Sequence, residues 1–517
     1  MIHFFILLLC FFLSACMVGP NYKEPNKPIA KDWPNKNATV KETPYKDILW
    51  WNVFHDNNMT ALINQGYHSN LSLQSAGVRV LQTRALLAQS VGQLYPQQQA
   101  IIGSYNYNRL GGSSLESVLP SSFDTASLGF SASWELDFWG KYRRAIQAND
   151  AAFLSSIAAY DSALITLVSD IAQTYIKIRT YQEQIRVTKA NIVVQKTGLQ
   201  IALARYNAGE VGLVDVEQAK AELAQTQASL PPLFNNEQVQ KDRLAVLLGT
   251  VPTQVDALLQ PKKGIPKAPY SVAVGIPKEM IARRPDIHQA RLNAVQQGAT
   301  VGAIKASLYP ALSLTGTFAF SSNNINNASI SDLFEWSKLN VVTGPGLSWP
   351  ILNYGQITNA VRAQDAVFQQ SLLHYVEVVL KAQQEVQDNI SAYIQAKSAT
   401  YYLVQANNAA SKTLQLAIVR YKEGETDFTP VLNAEQQLLS IQTSLVNAQG
   451  DIPMALVALY RSLGGGWQIR GANDVIPDAI KKEMAARTNW GTLLQQKNHL
   501  PPTTPKQKIN QLYLPKW

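Results

Sequence analysis

The sequence predicts a mixed α and β membrane protein in which long α-helical coiled coils are joined to a transmembrane β-barrel that closes by trimerisation. Three observations predict it. Ile157, Leu164, Ile171, Ile178, Ile185, Ile192 and Leu199 fall on a strict seven-residue repeat, the mark of a sustained coiled-coil seam. Along Leu128–Phe138, Leu128, Phe130, Ala132, Trp134, Leu136 and Phe138 alternate with Gly129, Ser131, Ser133, Glu135 and Asp137, the period-two pattern of a membrane strand. The stretch Arg205–Leu230 recurs without a gap as Arg420–Leu445, with ten of 26 positions identical, so the chain carries an internal two-fold repeat.

Composition sets the bounds. Apolar residues make up 46% of the 517, an ordinary share that excludes a bundle of membrane-spanning helices. The one long apolar run, Phe4–Ala15, is too short to span a bilayer and reads as the core of a signal peptide over residues 1–15, although Met1-Ile2-His3 lacks the usual Lys or Arg. Leu13-Ser14-Ala15-Cys16 matches a bacterial lipobox, which would leave a lipidated Cys16 at the new N-terminus. An ordinary signal peptide with an incidental Cys is the alternative. The only other cysteine, Cys10, would be removed, so the mature chain would hold no free thiol and no disulfide. Met17 follows the Cys where an Asp would resemble an inner-membrane retention signal, so the lipid is expected to reach the outer membrane. Net charge is +9, and most of the excess lies beyond residue 480, where seven basic side chains face one acidic one. Without basic residues interleaved with aromatics on a folded face, this reads as a solvated, Pro-containing tail and not as a nucleic-acid surface.

The elements follow in order. Residues 16–56 form a Pro- and Lys-rich extended leader under the lipid anchor. The first repeat, 57–250, opens with a helical pattern to Leu94-Tyr95-Pro96 and continues into two strand-like runs. From Gly140 a helix runs to Tyr206 without Pro, roughly 100 Å at 1.5 Å per residue. It turns at Gly209, and a return helix reaches Leu248-Gly249 with an expected break at Pro231-Pro232. A Pro/Gly/Lys connector spans 251–276. The second repeat, 277–466, opens with a helix to Leu308-Tyr309-Pro310 and continues through an alternating strand at Ala311–Ser321 and a less regular one at Val341–Leu352. A long helix over about 356–422 and a return helix to Leu463-Gly464 close the plan. Residues 467–517 form the basic tail. Each half thus supplies two strands, four per chain. Open edges in lipid leave backbone groups unpaired at several kcal/mol each. Four strands cannot close alone, a dimer of eight would be filled by side chains, and three copies give twelve strands and a pore.

Met17–Pro25, together with the lipobox, resembles the N-terminus of the TolC-like outer membrane efflux factors in their lipoprotein branch. Ile281–Leu314, with its core Arg283-Arg284-Pro285-Asp286-Ile287, resembles the segment that opens the second repeat of that family; His288 and Arg291-Leu292 depart from the commoner Arg and Ala-Glu. The resemblance covers about 17–466. It implies a homotrimer with a twelve-stranded β-barrel in outer-membrane lipid and a twelve-helix α-barrel in the periplasm, docked to a periplasmic adaptor and an inner-membrane pump. The pump supplies the energy and this chain is a conduit for small toxic compounds or drugs. The exit duct of a type I protein-secretion system is the alternative within the fold. A periplasmic coiled-coil rod without a pore is the alternative outside it, opposed by the alternating strands.

No constellation supports catalysis, a cofactor or a metal. The paired turns are the candidate site. By position in the tip motif, the resemblance makes Asp215 and Tyr421 a gate pair, an Asp accepting a hydrogen bond from a phenol on a neighbouring helix; the alternatives are a carboxylate favoured in a first helical turn and simple packing. Arg205 and Arg420 join the gate candidates, although a cation at a helix C-terminus also just complements the dipole. Val211-Gly212-Leu213 resembles the adaptor-contacting element of the family, and Thr426-Asp427-Phe428 is its unlike second copy; Gly209 and Gly212 also simply shape the turn. Where family members carry acidic aperture residues, this chain has Pro430 and Asn433, with Glu435, Asp427 and Glu425 as possible replacements, so strong cation selectivity is not expected.

Overall fold

The computed structural model describes residues 17–34, 40–41, 49–111, 120–261, 263–325, 328–471 and 473–495. Cys16 and the signal segment lie outside the described residues, as does the chain beyond 495. After a short β1 (Val40–Lys41) and a 3-10 turn at Trp50–Phe54 come α1 (Asn57–Ser69) and α2 (Leu71–Gly92), then β2 (Gln98–Arg109) and β3 (Ser122–Leu136). Next are α3 (Lys141–Asn207), α4 (Leu213–Ala228), α5 (Leu230–Leu248) and α6 (Pro252–Leu258). The second half runs β4 (Val272–Ala273), α7 (Pro277–Arg283), α8 (Pro285–Ala306), β5 (Ala311–Asn323), β6 (Leu339–Ser348), α9 (Gln356–Lys422) and α10 (Thr429–Ser462), and α11 (Asp478–Arg487) follows.

Helices α3 and α9 are each 67 residues long, and each starts behind a glycine with φ near 80°, Gly140 or Gly355. The switch from strand to helix needs that left-handed backbone, which a glycine adopts without a Cβ penalty. The heptad residues of α3 are inside: Ile157, Leu164, Ile171, Ile178, Ile185 and Ile192 are all buried. They pack against α2, α4, α5, α8 and α10, while α9 pairs with α10. The two return limbs differ. The first ends at Ala228 and restarts at Leu230, with Pro231 and Pro232 in the new first turn, where the missing N–H groups would lack a partner anyway. The second runs unbroken for 34 residues through the buried Pro453.

The strands form one antiparallel sheet in the order β2-β3-β5-β6. Its register sorts side chains by chemistry. One face carries the cross-strand row Ile101, Phe130, Phe318, Val341 and the adjacent row Gly103, Leu128, Phe320, Leu339. The other face carries Ser104, Ser127, Ser321 and the row Gln98, Ser133, Thr315, Gly344. An apolar face is left exposed across four strands, with Ile101 82% and Phe318 49% accessible, the pattern expected of a lipid-facing sheet. The outer strands β2 and β6 each keep one unpaired edge among the described residues. Trp134 and Trp349, 215 residues apart, do the same job in each half: each indole N–H donates to the carbonyl just before the first strand, Leu94 at 3.1 Å and Leu308 at 3.1 Å.

Three regions carry more order than their composition implied. The connector over 251–276 is partly regular, holding α6 and β4. The leader, though extended, is strapped onto the fold: Val18 N–H donates to Trp139 O, Trp33 donates to Gly275 O at 3.0 Å, and β1 pairs in parallel with β4. Its Trp33, Trp50 and Trp51 are fully buried, with Trp50 stacked on Tyr460 at 5.5 Å between centroids. The segment that follows Gly466 is docked on the fold before its basic part begins, and among the described residues beyond 480 only Met484 is buried. Arg470 makes two 2.9 Å hydrogen bonds to Asp161 in the first third of α3, both side chains buried, and Val475, Ile476 and Met484 join the main core. Counting its charges hid these apolar residues, whose burial drives the docking.

Candidate functional site at the paired helical turns

Both turns close by the same backbone chemistry. Glu210 N–H donates to Arg205 O at 3.0 Å, and Glu425 N–H donates to Arg420 O at 3.0 Å, around Gly209 and Gly424 with φ of 78° and 81°. This is a Schellman closure, in which the last helical carbonyls are satisfied beyond a left-handed glycine. The matched arginines brace their turns alike: Arg205 Nε donates to Glu210 at 3.0 Å and Arg420 Nε to Glu425 at 3.1 Å.

Beyond that the copies diverge. The Tyr421 hydroxyl donates to Asp215 Oδ2 at 3.1 Å, joining the end of α9 to the first turn of α4. The Tyr421 ring is buried, edge-on to Phe428 at 5.2 Å, in a small core with Ala202, Val216, Ala219, Leu414 and Val431. Arg205 crosses from the first turn to the second. Its guanidinium lies over the Tyr421 ring at 4.8 Å and donates to the Tyr421 carbonyl. Arg420 reaches only Glu425 and is 61% exposed, against 13% for Arg205. Burial first, then the Asp215 charge and hydrogen bond, push the Tyr421 phenol up to about 12, so it remains a donor through the physiological range.

The remaining candidates sort by exposure. Leu213, at 51% accessible, and Gly212 lie on the surface of the first turn with Val211 half-buried beside them. In the second turn Asp427 is exposed and accepts from Thr429 N–H at 3.1 Å, while Thr426 is half-buried. Phe428 is not a surface residue: it is buried against the Tyr421 ring and supports the Tyr421–Asp215 link, a correction to its expected docking role. Pro430 and Asn433 are exposed at the start of α10. Glu435 does not face an aperture. It points into the helical layer toward Gly198 of α3, where a Cβ would come within 3.3 Å of its Oε1. Its reach into the seam follows from its place three residues before the buried Leu438 and four after the buried Val431.

Glu435 is accompanied by a second buried acid that sequence reasoning missed. Glu222 of α4 is buried, and accepts from Gln436 Nε2 at 2.7 Å and, distantly, from Gln195 Nε2 at 3.5 Å. Gln195 also donates to the buried Thr226 at 3.0 Å. Oε1 of Glu435 and Oε1 of Gln195 have no hydrogen-bond partner. Burial, and then the Glu222 charge, push the Glu435 carboxyl up to about 7. The readable signal was the spacing Val216, Ala219, Glu222, Thr226, which sets an acid on an otherwise apolar or small seam.

With this geometry in view, comparisons place the chain among known proteins. The model of the family described as "Outer membrane efflux protein" matches residues 62–250 and 276–465. Nodulation protein T of Rhizobium leguminosarum bv. trifolii is 28% identical over 456 residues, 88% of this chain and 95% of that protein. The toluene efflux pump outer membrane protein TtgF of Pseudomonas putida is 26% identical over 484 residues, 90% of this chain and 97% of its own. The solved structure of the outer-membrane channel OprN superposes with a TM-score of 0.81 at 28% identity, covering 88% of this chain and all of that one.

Proposed function

The chain belongs to the outer membrane efflux protein family, an outer-membrane exit duct of tripartite efflux, and from that premise we propose that three copies close one conduit for small toxic organic compounds, gated at the paired turns. One observation carries the reading. A four-stranded sheet with apolar rows on one face and two open edges continues directly into two 67-residue helices. Such edges are tolerated in lipid only if another copy pairs with them, and three copies give twelve strands and a continuous helical tube. The polar inner face of the sheet and the hollow helical barrel then form one passage, and no step of chemistry is asked of the protein.

Gating belongs to the link between Tyr421 and Asp215, which ties α9 to α4 and is reinforced by Arg205. Docking of a periplasmic adaptor, itself engaged with an inner-membrane pump, belongs to the exposed Gly212 and Leu213 with the half-buried Val211 beside them, and to Asp427 of the second turn. The aperture lined by Pro430 and Asn433 carries no charge of its own, so ion discrimination there is weak. The cargo named for TtgF supports small organic substrates over secreted proteins. Electrophoresis of a detergent extract with and without heating tests the assembly. A heat-labile trimer that also conducts in planar bilayers is expected; a species that runs as a monomer without heating and carries no current overturns it.

A further inference from the structure

The buried acids of the tip belong to neither the gate link nor the docking surface. Glu222 lies seven residues along α4 from Asp215, about 10 Å, and Glu435 lies on α10, across the same seam. Glu222 has both oxygens engaged by the amides of Gln436 and Gln195. Glu435 has an unpartnered Oε1 pressed toward Gly198. From α3 the facing groups are Gln195 and Gly198, both uncharged; from α4 the facing acid is Glu222; from α9 the seam presents Ala410, Leu414 and Tyr421. On the outer side of α4, Lys220 pairs with Glu217 at 2.7 Å, both about half exposed, and does not enter the seam. Among the described residues no cation therefore offsets two carboxylates in one buried layer, and an uncompensated buried charge is costly.

We propose that Glu222 and Glu435 form a proton-binding site in the closed tip, and that releasing this proton drives α4 and α10 apart so that the conduit opens. The proposal rests on the reading of the turns as a gate. Opening must separate Asp215 from Tyr421, and with them the helices that carry the two acids. The proton passes from the Glu435 carboxyl to water as the layer hydrates, and both carboxylates are then solvated. The direction follows from linkage. Glu435 holds its proton more tightly in the closed form than in an open, hydrated one, so the closed form is favoured fully below its ordinary 4.5 and loses that advantage as pH rises to about 7. Across that window the closed-to-open ratio falls on the order of a hundredfold, since each unit of pKa difference is tenfold.

The test is open probability of the full-length trimer in planar bilayers between pH 4.5 and 8. Wild type is expected to open progressively as pH rises. Glu435→Gln, which keeps the shape of the neutral carboxyl, is expected to stay closed with a flat profile. Glu222→Gln is expected to move the midpoint to lower pH, because Glu435 loses its like-charged neighbour. A flat wild-type profile, or a Glu435→Gln profile that follows wild type, overturns the proton site. Asp215→Ala with Tyr421→Phe, measured alongside, separates the two readings. If that pair opens the channel while pH does not, only the proton site fails; if it leaves conductance unchanged, the gate fails and takes the proton site with it.

Discussion

Asp215, Tyr421 and Arg205 form one unit, and each contributes a different interaction. The phenol donates to the carboxylate, the guanidinium covers the ring and caps the carbonyl, and Phe428 supports the ring from below. Asp215→Ala with Tyr421→Phe is expected to raise single-channel conductance, and unchanged conductance would reject the gate. Arg205→Ala is expected to weaken the tip by about 1–3 kcal/mol, since it removes a ring contact and a charge-assisted hydrogen bond. Arg420→Ala is expected to cost at most about 1 kcal/mol, the range of an exposed ion pair. Stepwise denaturation of the two variants, or their conductance, checks the order; equal effects would contradict the asymmetry. The repeat paired Arg205 with Arg420 as equivalents, and the family resemblance paired Asp215 with Tyr421 across the two turns. It could not show that only one arginine crosses between turns, because that depends on how two hairpins 215 residues apart lean on each other.

The sheet and the C-terminal segment make the corresponding point for whole elements. Alternation along Leu128–Phe138 was visible because a strand's period is two, and the register then aligned Phe130 with Ile101, Phe318 and Val341 across four strands. Phe130→Arg is expected to destabilise the membrane sheet by about 2–4 kcal/mol, the depth-dependent cost of a cation on a lipid face. Ser131→Arg, one residue away on the polar face, is expected to leave trimer yield intact and reduce conductance by occupying the passage. Heat-modifiability and conductance of the two variants check this, and a reversed order would exchange the lipid and lumen faces. Asp161→Ala leaves Arg470 buried without its partner and is expected to cost about 3–5 kcal/mol, lowering the temperature at which the trimer falls apart. An unchanged melting temperature would mean that the segment from 467 to 495 is only loosely held. Its apolar residues Trp467, Ile469, Val475 and Ile476 sit too irregularly to show a periodicity.

For the molecule as a whole, the proposed reading carries two independent attachments to the outer membrane: a lipid on Cys16, which the lipobox predicts, and a barrel closed between copies. Cys16→Ser is expected to abolish lipid labelling while trimers remain in the outer-membrane fraction, and a fully soluble variant would contradict the barrel. Met17 and Val18 lie against Trp139 and Gly140, where the chain passes from β3 into α3. The chain alone determined the duplication, the two long helices, the alternating strands and the paired turns, because each is written in local periodicity or in self-similarity at a fixed offset. Only the tertiary structure decided that the leader and the segment from 467 to 495 strap the middle of the fold. It also decided that Arg205 rather than Arg420 supports Tyr421, that Phe428 is buried, and that Glu435 and Glu222 are both buried in the helical layer. Those contacts join residues tens to hundreds of positions apart, and the burial that gives them their energy exists only once the helices have packed.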